Sequence, residues 1–310
     1  MTAPVHLDNG VIGVTVAPGL GGTILDVVHL PSGLSALGRV PWVPDLTPPA
    51  GVPMSEADWL PHYTGGWPIL FPNGGEACVI DGVAHGFHGE GSLAVWSAVH
   101  AGEGLTLTCD FRTVPVRMTR QLRLEGASLV VTTEALASAP CAVIWGEHVT
   151  LGGDLLAAPF HIACGPAVLR ADPDYDPAGN PVFPGATGVW PHLPGRHGGT
   201  VDLSRPAEGW AALAYLSGFD RPEVTVARDD GRLAATVAWE GGAFDCLWLW
   251  VELAATTAPP WSGQARLLGV EPCSTPAGHG LAQARANGDR LLHLLPGRPV
   301  RTVTRLTLAA

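Results

Sequence analysis

Three separated pieces of this 310-residue chain carry side chains able to move protons. The first is the stretch 65–96, GGWPILFPNGGEACVIDGVAHGFHGEGSLAVW, where His85, His88 and Glu90 follow a dense run of glycine and proline. The second is Trp145-Gly146-Glu147-His148, at the end of an apolar run. The third is Gly269-Val270-Glu271-Pro272, followed by Ser274-Thr275-Pro276. Imidazoles titrate near neutral pH. A carboxylate emerging from a buried strand is costly unless something satisfies or uses it, and its pKa is tunable. One imidazole and one such carboxylate suffice for general acid–base work on a hydroxyl group.

Other chemistries compete for the same residues. Glu271 with Glu90 or Glu147 could form the carboxylate pair of a glycoside-cleaving enzyme. His85, His88, Glu90 and His148 offer nitrogen and oxygen ligands to zinc or iron, although the first two sit on a glycine-rich turn rather than a rigid element. Simpler still, the histidines could cap the ends of a β-hairpin, and Glu271 could hold a salt bridge. No phosphate-binding loop, dinucleotide glycine motif or G-x-S-x-G elbow occurs in the chain.

The elements that must position these groups read as strands. Glycine (40) and proline (29) are so frequent that turns must be too, which favours many short strands over long helices. Strand-like runs recur at 11–16, 23–29, 69–71, 77–80, 93–99, 105–111, 116–124, 128–136 and 142–150. They resume at 210–217, 224–228, 233–238, 245–252, 265–271 and 300–308. The pair 69–71 and 77–80 reads as buried, with Asp81-Gly82 as a hairpin turn. Residues 41–64 read as a long loop, a rim or lid over a site, and 159–199 as an irregular loop decorated with Phe160, Tyr175, Phe183 and Trp190. Helix signals are few, and the best short one is 281–287. No repeat or composition break divides the chain, so one large antiparallel β-sandwich domain spanning 1–310 is expected.

Composition excludes whole classes of function. With 17 basic against 28 acidic residues the formal charge is -11, which argues against nucleic acid and against an anionic membrane surface. No apolar run reaches the length of a membrane span. The six cysteines are scattered with no C-x-x-C pair, and the opening MTAPVHLDNG lacks a basic segment followed by an apolar one. A reduced, cytoplasmic protein acting on a small molecule is the expectation.

The motifs together resemble the galactose mutarotase-like, or aldose 1-epimerase-like, proteins. In that family a G-G-W/N-P-x-L-F-P-N segment leads through a hairpin to an H-G-[EF] motif and then a tryptophan. Here the motif is His85-Gly86-Phe87 or His88-Gly89-Glu90, and the distance to Trp96 fits the family better from His88. The resemblance implies an extended, many-stranded β-sandwich, the mutarotase supersandwich, with the sugar site on one concave sheet. It also implies roles. Glu271 is the general base, His148 the general acid, and His88 assists at the ring oxygen. Asn73, His85, Glu90 and Trp67 bind the sugar. Trp67, Trp190 and Trp250 could serve as stacking platforms, although with 11 tryptophans in the chain most are expected to be core. The implied partner is a small carbohydrate, handled by a monomer or homodimer with no metal or other cofactor. Two features depart from the family: no arginine follows Asn73, and the mid-chain substrate-binding aspartate has no evident counterpart. A lyase or hydrolase on the same fold, or a non-catalytic sugar-binding protein, are the alternatives.

Overall fold

A computed structural model describes residues 3–101, 104–240, 242–276 and 278–310. Two large sheets dominate, and every strand pair in them runs antiparallel. The first has eight strands, in the order Phe160–Cys164, Glu223–Arg228, Ala234–Trp239, Val300–Ala309, Ser128–Ala137, Val116–Glu125, Gly104–Asp110 and Ser97–Ala101. The second, ten-stranded sheet has Ala211–Ser217, Cys246–Leu253 and Arg266–Cys273 at its centre, continued by the short strands Gly146–Glu147 and Ile69–Leu70. A four-stranded sheet of Val5–Asp8, Ile12–Ala17, Thr23–His29 and Leu34–Ser35 packs at the N-terminal end. Among the described residues the α-helices are short, Glu56–Trp59 and Gly280–Asn287.

Alternation along the strands builds the core. Leu105, Leu107, Met118, Leu122, Leu129, Val131, Leu306 and Leu308 project from the eight-stranded sheet. They meet Leu247, Leu249, Val251, Leu268 and Val270 from the ten-stranded sheet. Because successive side chains point to opposite faces, the intervening residues Trp248, Trp250, Gly269 and Glu271 face the other way. That face carries the cavity described below.

Four segments depart from expectation. The run 142–150 is divided among Cys141–Val143, Gly146–Glu147 and Val149–Leu151. Cys141–Val143 pairs with Leu292–Leu294 in a separate ribbon, and the chain then crosses into the ten-stranded sheet. Residues 93–96 are not strand, because Trp96 N bonds to Pro18 O and Ala94 O accepts from Gly21 N. The segment 159–199 contains four strands, including Val168–Ala171 at the side of the large sheet. The Asp81-Gly82 turn forms as expected, with both residues at positive φ, and 69–71 is buried, but the run 77–80 is not, Val79 being exposed.

Candidate active site

Strand register brings the two proton-handling groups together. Gly146 pairs with Cys273 and Val149 with Val270, so the register is constant and His148 lies directly opposite Glu271. On the far side of the same strand Glu271 pairs with Trp248, and Trp248 with Tyr215. One row of side chains, His148, Glu271, Trp248 and Tyr215, therefore crosses the sheet on its outer face. His148 Nε2 sits 3.7 Å from Glu271 Oε1, and both side chains are buried.

Gly269 makes room for this pair. A methyl group there would lie 2.2 Å from Glu271 Oε1, so only glycine lets the carboxylate lean back along its strand. Glu271 Oε2 has no hydrogen-bond partner, although the residue is only 2% exposed. A buried acceptor left free is costly, and here it borders a cavity of about 440 Å³, a size typical of small-molecule sites.

Burial sets the protonation of both groups. It pushes the Glu271 carboxyl well above the usual carboxylate range, and the nearby Cys273 adds to the rise. Burial also lowers the His148 imidazole to about 4. Burial thus favours the neutral form of both groups, with the pair's proton on the carboxyl. Behind His148 runs a relay: Nδ1 lies 2.9 Å from Thr150 Oγ1, which lies 2.8 Å from the Tyr63 hydroxyl. Hydroxyl protons can point either way along such a chain, so it accommodates neutral imidazole and imidazolium alike.

His88 completes the cluster, its ring 5.4 Å from that of His148. It adopts a positive φ of 59°, a conformation for which histidine is among the more tolerant side chains. Two bonds to one glycine hold it there: His88 N donates to Gly75 O, and Gly75 N donates to His88 Nδ1 at 3.0 Å. With Nδ1 accepting, the neutral ring carries its proton on Nε2 as a donor. Burial, and then the neighbouring His148, keep its pKa well below the usual value.

Trp59, Tyr63, Trp250 and Trp261 line the cavity with flat apolar surface. Trp59 stacks on Tyr63 with centroids 4.5 Å apart. The segment 41–64 therefore does contribute to the site, as ordered wall rather than bare loop: Ser55 caps Glu56–Trp59 through Asp58 N, and Leu60–His62 follows as a 3-10 turn.

The other expected binding residues lie elsewhere. Asn73 is fully buried and its amide is consumed by structural bonds, to Glu76 O and Gly86 O and from Leu281 N. It staples the glycine loop to the Gly280–Asn287 helix. Trp67 is in the core, donating to Glu147 Oε2 at 2.7 Å. His85 is buried and borders a different hollow. Glu90 accepts from Arg112 and Thr113, and Trp190 packs partly buried against the core. Glu147, next to His148 in sequence, points to the opposite face, where it pairs with Arg120 of the eight-stranded sheet at 2.8 Å, both side chains 0% exposed. Glu90 and Glu147 are thus absent from the Glu271 cavity, and of the four residues considered for a metal His88 and His148 share the cavity while His85 and Glu90 border other hollows. Among the described residues it is Asp172, Asp174 and His279 whose ligand atoms lie within 4.8 Å of one another.

That last group was not singled out from sequence. Asp172 accepts from Tyr215 OH, from His279 Nε2 at 2.9 Å, and from Asp174 N and Tyr175 N. Burial opposes its ionisation, but the bonds from His279 and Tyr215 prevail and hold the carboxyl at about 2. His279 and Asp174 line the cavity. The only signal was Asp172-Pro173-Asp174-Tyr175, inside a segment read as irregular.

No protein-family model and no curated protein matches the sequence. Solved structures do match. The Slr1438 protein of Synechocystis sp. PCC 6803 superposes with a TM-score of 0.69 at 16% identity, covering 100% of this chain and 96% of that one. A GalM/aldose epimerase homologue from C. elegans gives 0.66 at 10% identity, covering 100% and 99%. A galactose mutarotase-like protein from Lactobacillus casei gives 0.64 at 15% identity, covering 99% and 100%. Over its described length, the chain shares the fold of the galactose mutarotase-like proteins.

Proposed function

We propose that the protein interconverts the anomers of an aldose by acid–base ring opening and reclosure. The observation that carries this reading is the buried His148–Glu271 pair, 3.7 Å apart, with one carboxylate oxygen unpartnered beside the cavity. The reaction needs one proton removed from the anomeric hydroxyl and one delivered to the ring oxygen. A pair that holds a single proton can do both. With that proton on His148, Glu271 accepts the hydroxyl proton while imidazolium protonates the ring oxygen, and the C1–O5 bond breaks. The open-chain aldehyde rotates about C1–C2 and recloses from its other face, returning both protons. The anomeric hydroxyl, donating to Glu271, favours the carboxylate over the neutral form that burial favours. The Thr150–Tyr63 relay supports imidazolium on the other side.

His88 donates from Nε2 to the ring oxygen or a neighbouring hydroxyl and stays neutral throughout. Asn73 acts at one remove, by fixing the glycine loop that holds His88. Trp59, Trp250 and Trp261 provide surface on which a sugar face packs. Residues from 56 to 279 contribute to the cavity, which supports treating the chain as a single domain. Magnetisation-exchange NMR on a panel of aldoses tests the proposal. Interconversion of α and β anomers should accelerate over buffer for at least one sugar; no acceleration across the panel contradicts it.

A further inference from the structure

Apart from His279, whose imidazole Asp172 holds above its usual pKa, the charged groups around the cavity are acidic. Glu56, Glu76 and Asp174 stand exposed at its mouth, and Glu252 and Glu271 lie deeper. No arginine lines it among the described residues, and the chain contains no lysine at all. Arg170 stays outside, over the Tyr215 ring and donating to Pro276 O. The remaining cationic candidate, His279, is already held by Asp172 and Asp174. Glu252 is spent on Ala255 N, Thr256 N and Thr256 Oγ1. Glu56 and Glu76 have no cationic partner among the described residues. Desolvation at the mouth, and after it the like charge of Glu76, raise the Glu56 carboxyl from its usual value.

Glu56 and Glu76 repel one another; the His279 imidazole feels Glu76 but is already compensated by Asp172 and Asp174, so a bound cation relieves the repulsion that remains. Aromatic faces attract cations as well, and Trp59, Trp248, Trp250 and Trp261 surround the space. An independent observation points inward to a ligand: the buried, unpartnered Glu271 Oε2 on the same cavity. Phosphate or carboxylate on a substrate would meet the same field as repulsion.

We propose that the substrate is an amino sugar, an aldose whose protonated amine lies beside Glu56 and Glu76 while its anomeric end reaches His148 and Glu271. This rests on the anomer-interconverting reading of the site. Because the mouth carboxylates are exposed and Glu271 is buried, the amine is placed away from the anomeric carbon, and C3, one carbon further out than C2, is the position tested.

The test compares kcat/KM for 3-amino-3-deoxyglucose, 2-amino-2-deoxyglucose, glucose and glucose 6-phosphate, with saturation-transfer NMR for binding. The 3-amino sugar should exceed glucose by roughly fivefold or more, as two exposed charge pairs allow, and the 2-amino isomer should trail it. The phosphate should fall below glucose. Raising ionic strength, raising pH through the amine's own pKa, or the double substitution E56Q/E76Q should each collapse the preference. If glucose or its phosphate reacts as efficiently as the 3-amino sugar, the inference is overturned while the activity stands. If no aldose reacts, the anomerase reading fails and binding alone decides. Tighter binding of the amine, lost in E56Q/E76Q, upholds the inference; equal or weaker binding overturns it.

Discussion

His148, between the strands Gly146–Glu147 and Val149–Leu151, lies opposite Glu271 on the outer face of the large sheet, held there by the pairs Gly146–Cys273 and Val149–Val270 on either side, with Nε2 and Oε1 3.7 Å apart. A side-by-side position on neighbouring antiparallel strands is among the most rigid relationships a fold offers. It fixes the distance between acid and base by backbone hydrogen bonds rather than by loops, as a proton-transfer site requires.

The geometry depends on Gly269. Gly269→Ala places a methyl group where Glu271 Oε1 now lies, and the flexible carboxylate end yields rather than the backbone. Anomer interconversion should drop by as much as about 100-fold, the scale set by an ångström of misplacement. Thermal melting should shift little, since only a side-chain end moves. NMR exchange and a melting curve on the same sample check both halves.

Protonation predicts a bell-shaped pH dependence for kcat/KM. Activity needs one proton on the pair, so the acid limb reflects protonation of His148, whose pKa is lowered to about 4. The alkaline limb reflects loss of the proton that burial raises on Glu271, well above the usual carboxylate range. The two limbs belong to the pair rather than to either residue alone.

Stability follows the same shifts. Glu271, raised in the folded state, destabilises the fold increasingly as pH climbs from the ordinary carboxylate value toward its own. Glu271→Gln should therefore melt above the parent at pH 8, with the gap closing below about pH 4. His148, lowered in the folded state, contributes stability that is present above about pH 6.5 and lost as pH falls through about 4. Melting temperatures of the parent, Glu271→Gln and His148→Asn across pH 4–8 read out both signs.

Arg120→Leu strands Glu147 as a lone buried charge between the sheets. Unfolding in urea should show a loss of about 3–5 kcal/mol, the usual penalty for breaking a buried pair from one side. Arg120→Leu with Glu147→Leu should recover most of it. A folded double variant should retain anomer interconversion, because Glu147 faces the core and not the cavity.

Much of this was legible in the sequence. Strand periodicity located most of the long strands, since their alternation is local, and the spaced motifs named His88, His148 and Glu271, which the fold brings into one cavity. Facing was not legible. Glu147 and His148 differ by one position, and only the pairing register decides which of them meets Glu271. Asn73, Trp67, His85 and Glu90 carry sugar-binding chemistry, yet tertiary partners from distant segments consume or bury them. Asp172 and His279 escaped notice because strands of three or four residues, such as Val168–Ala171 and Thr187–Val189, are too short to show a period.

The most direct measurement is the rate of anomer exchange in Glu271→Gln, with sugar binding followed on the same sample. The substitution keeps size and shape and removes the proton-accepting carboxylate. Exchange should fall by roughly 10²–10⁴-fold, the span of a general acid or base, while binding changes far less. The double variant with His148→Asn should lose less than the product of the two single effects, as groups sharing one transition state do. A Glu271→Gln protein whose exchange rate stays within about a factor of two of the parent, below any general-base contribution, contradicts the account at its central residue.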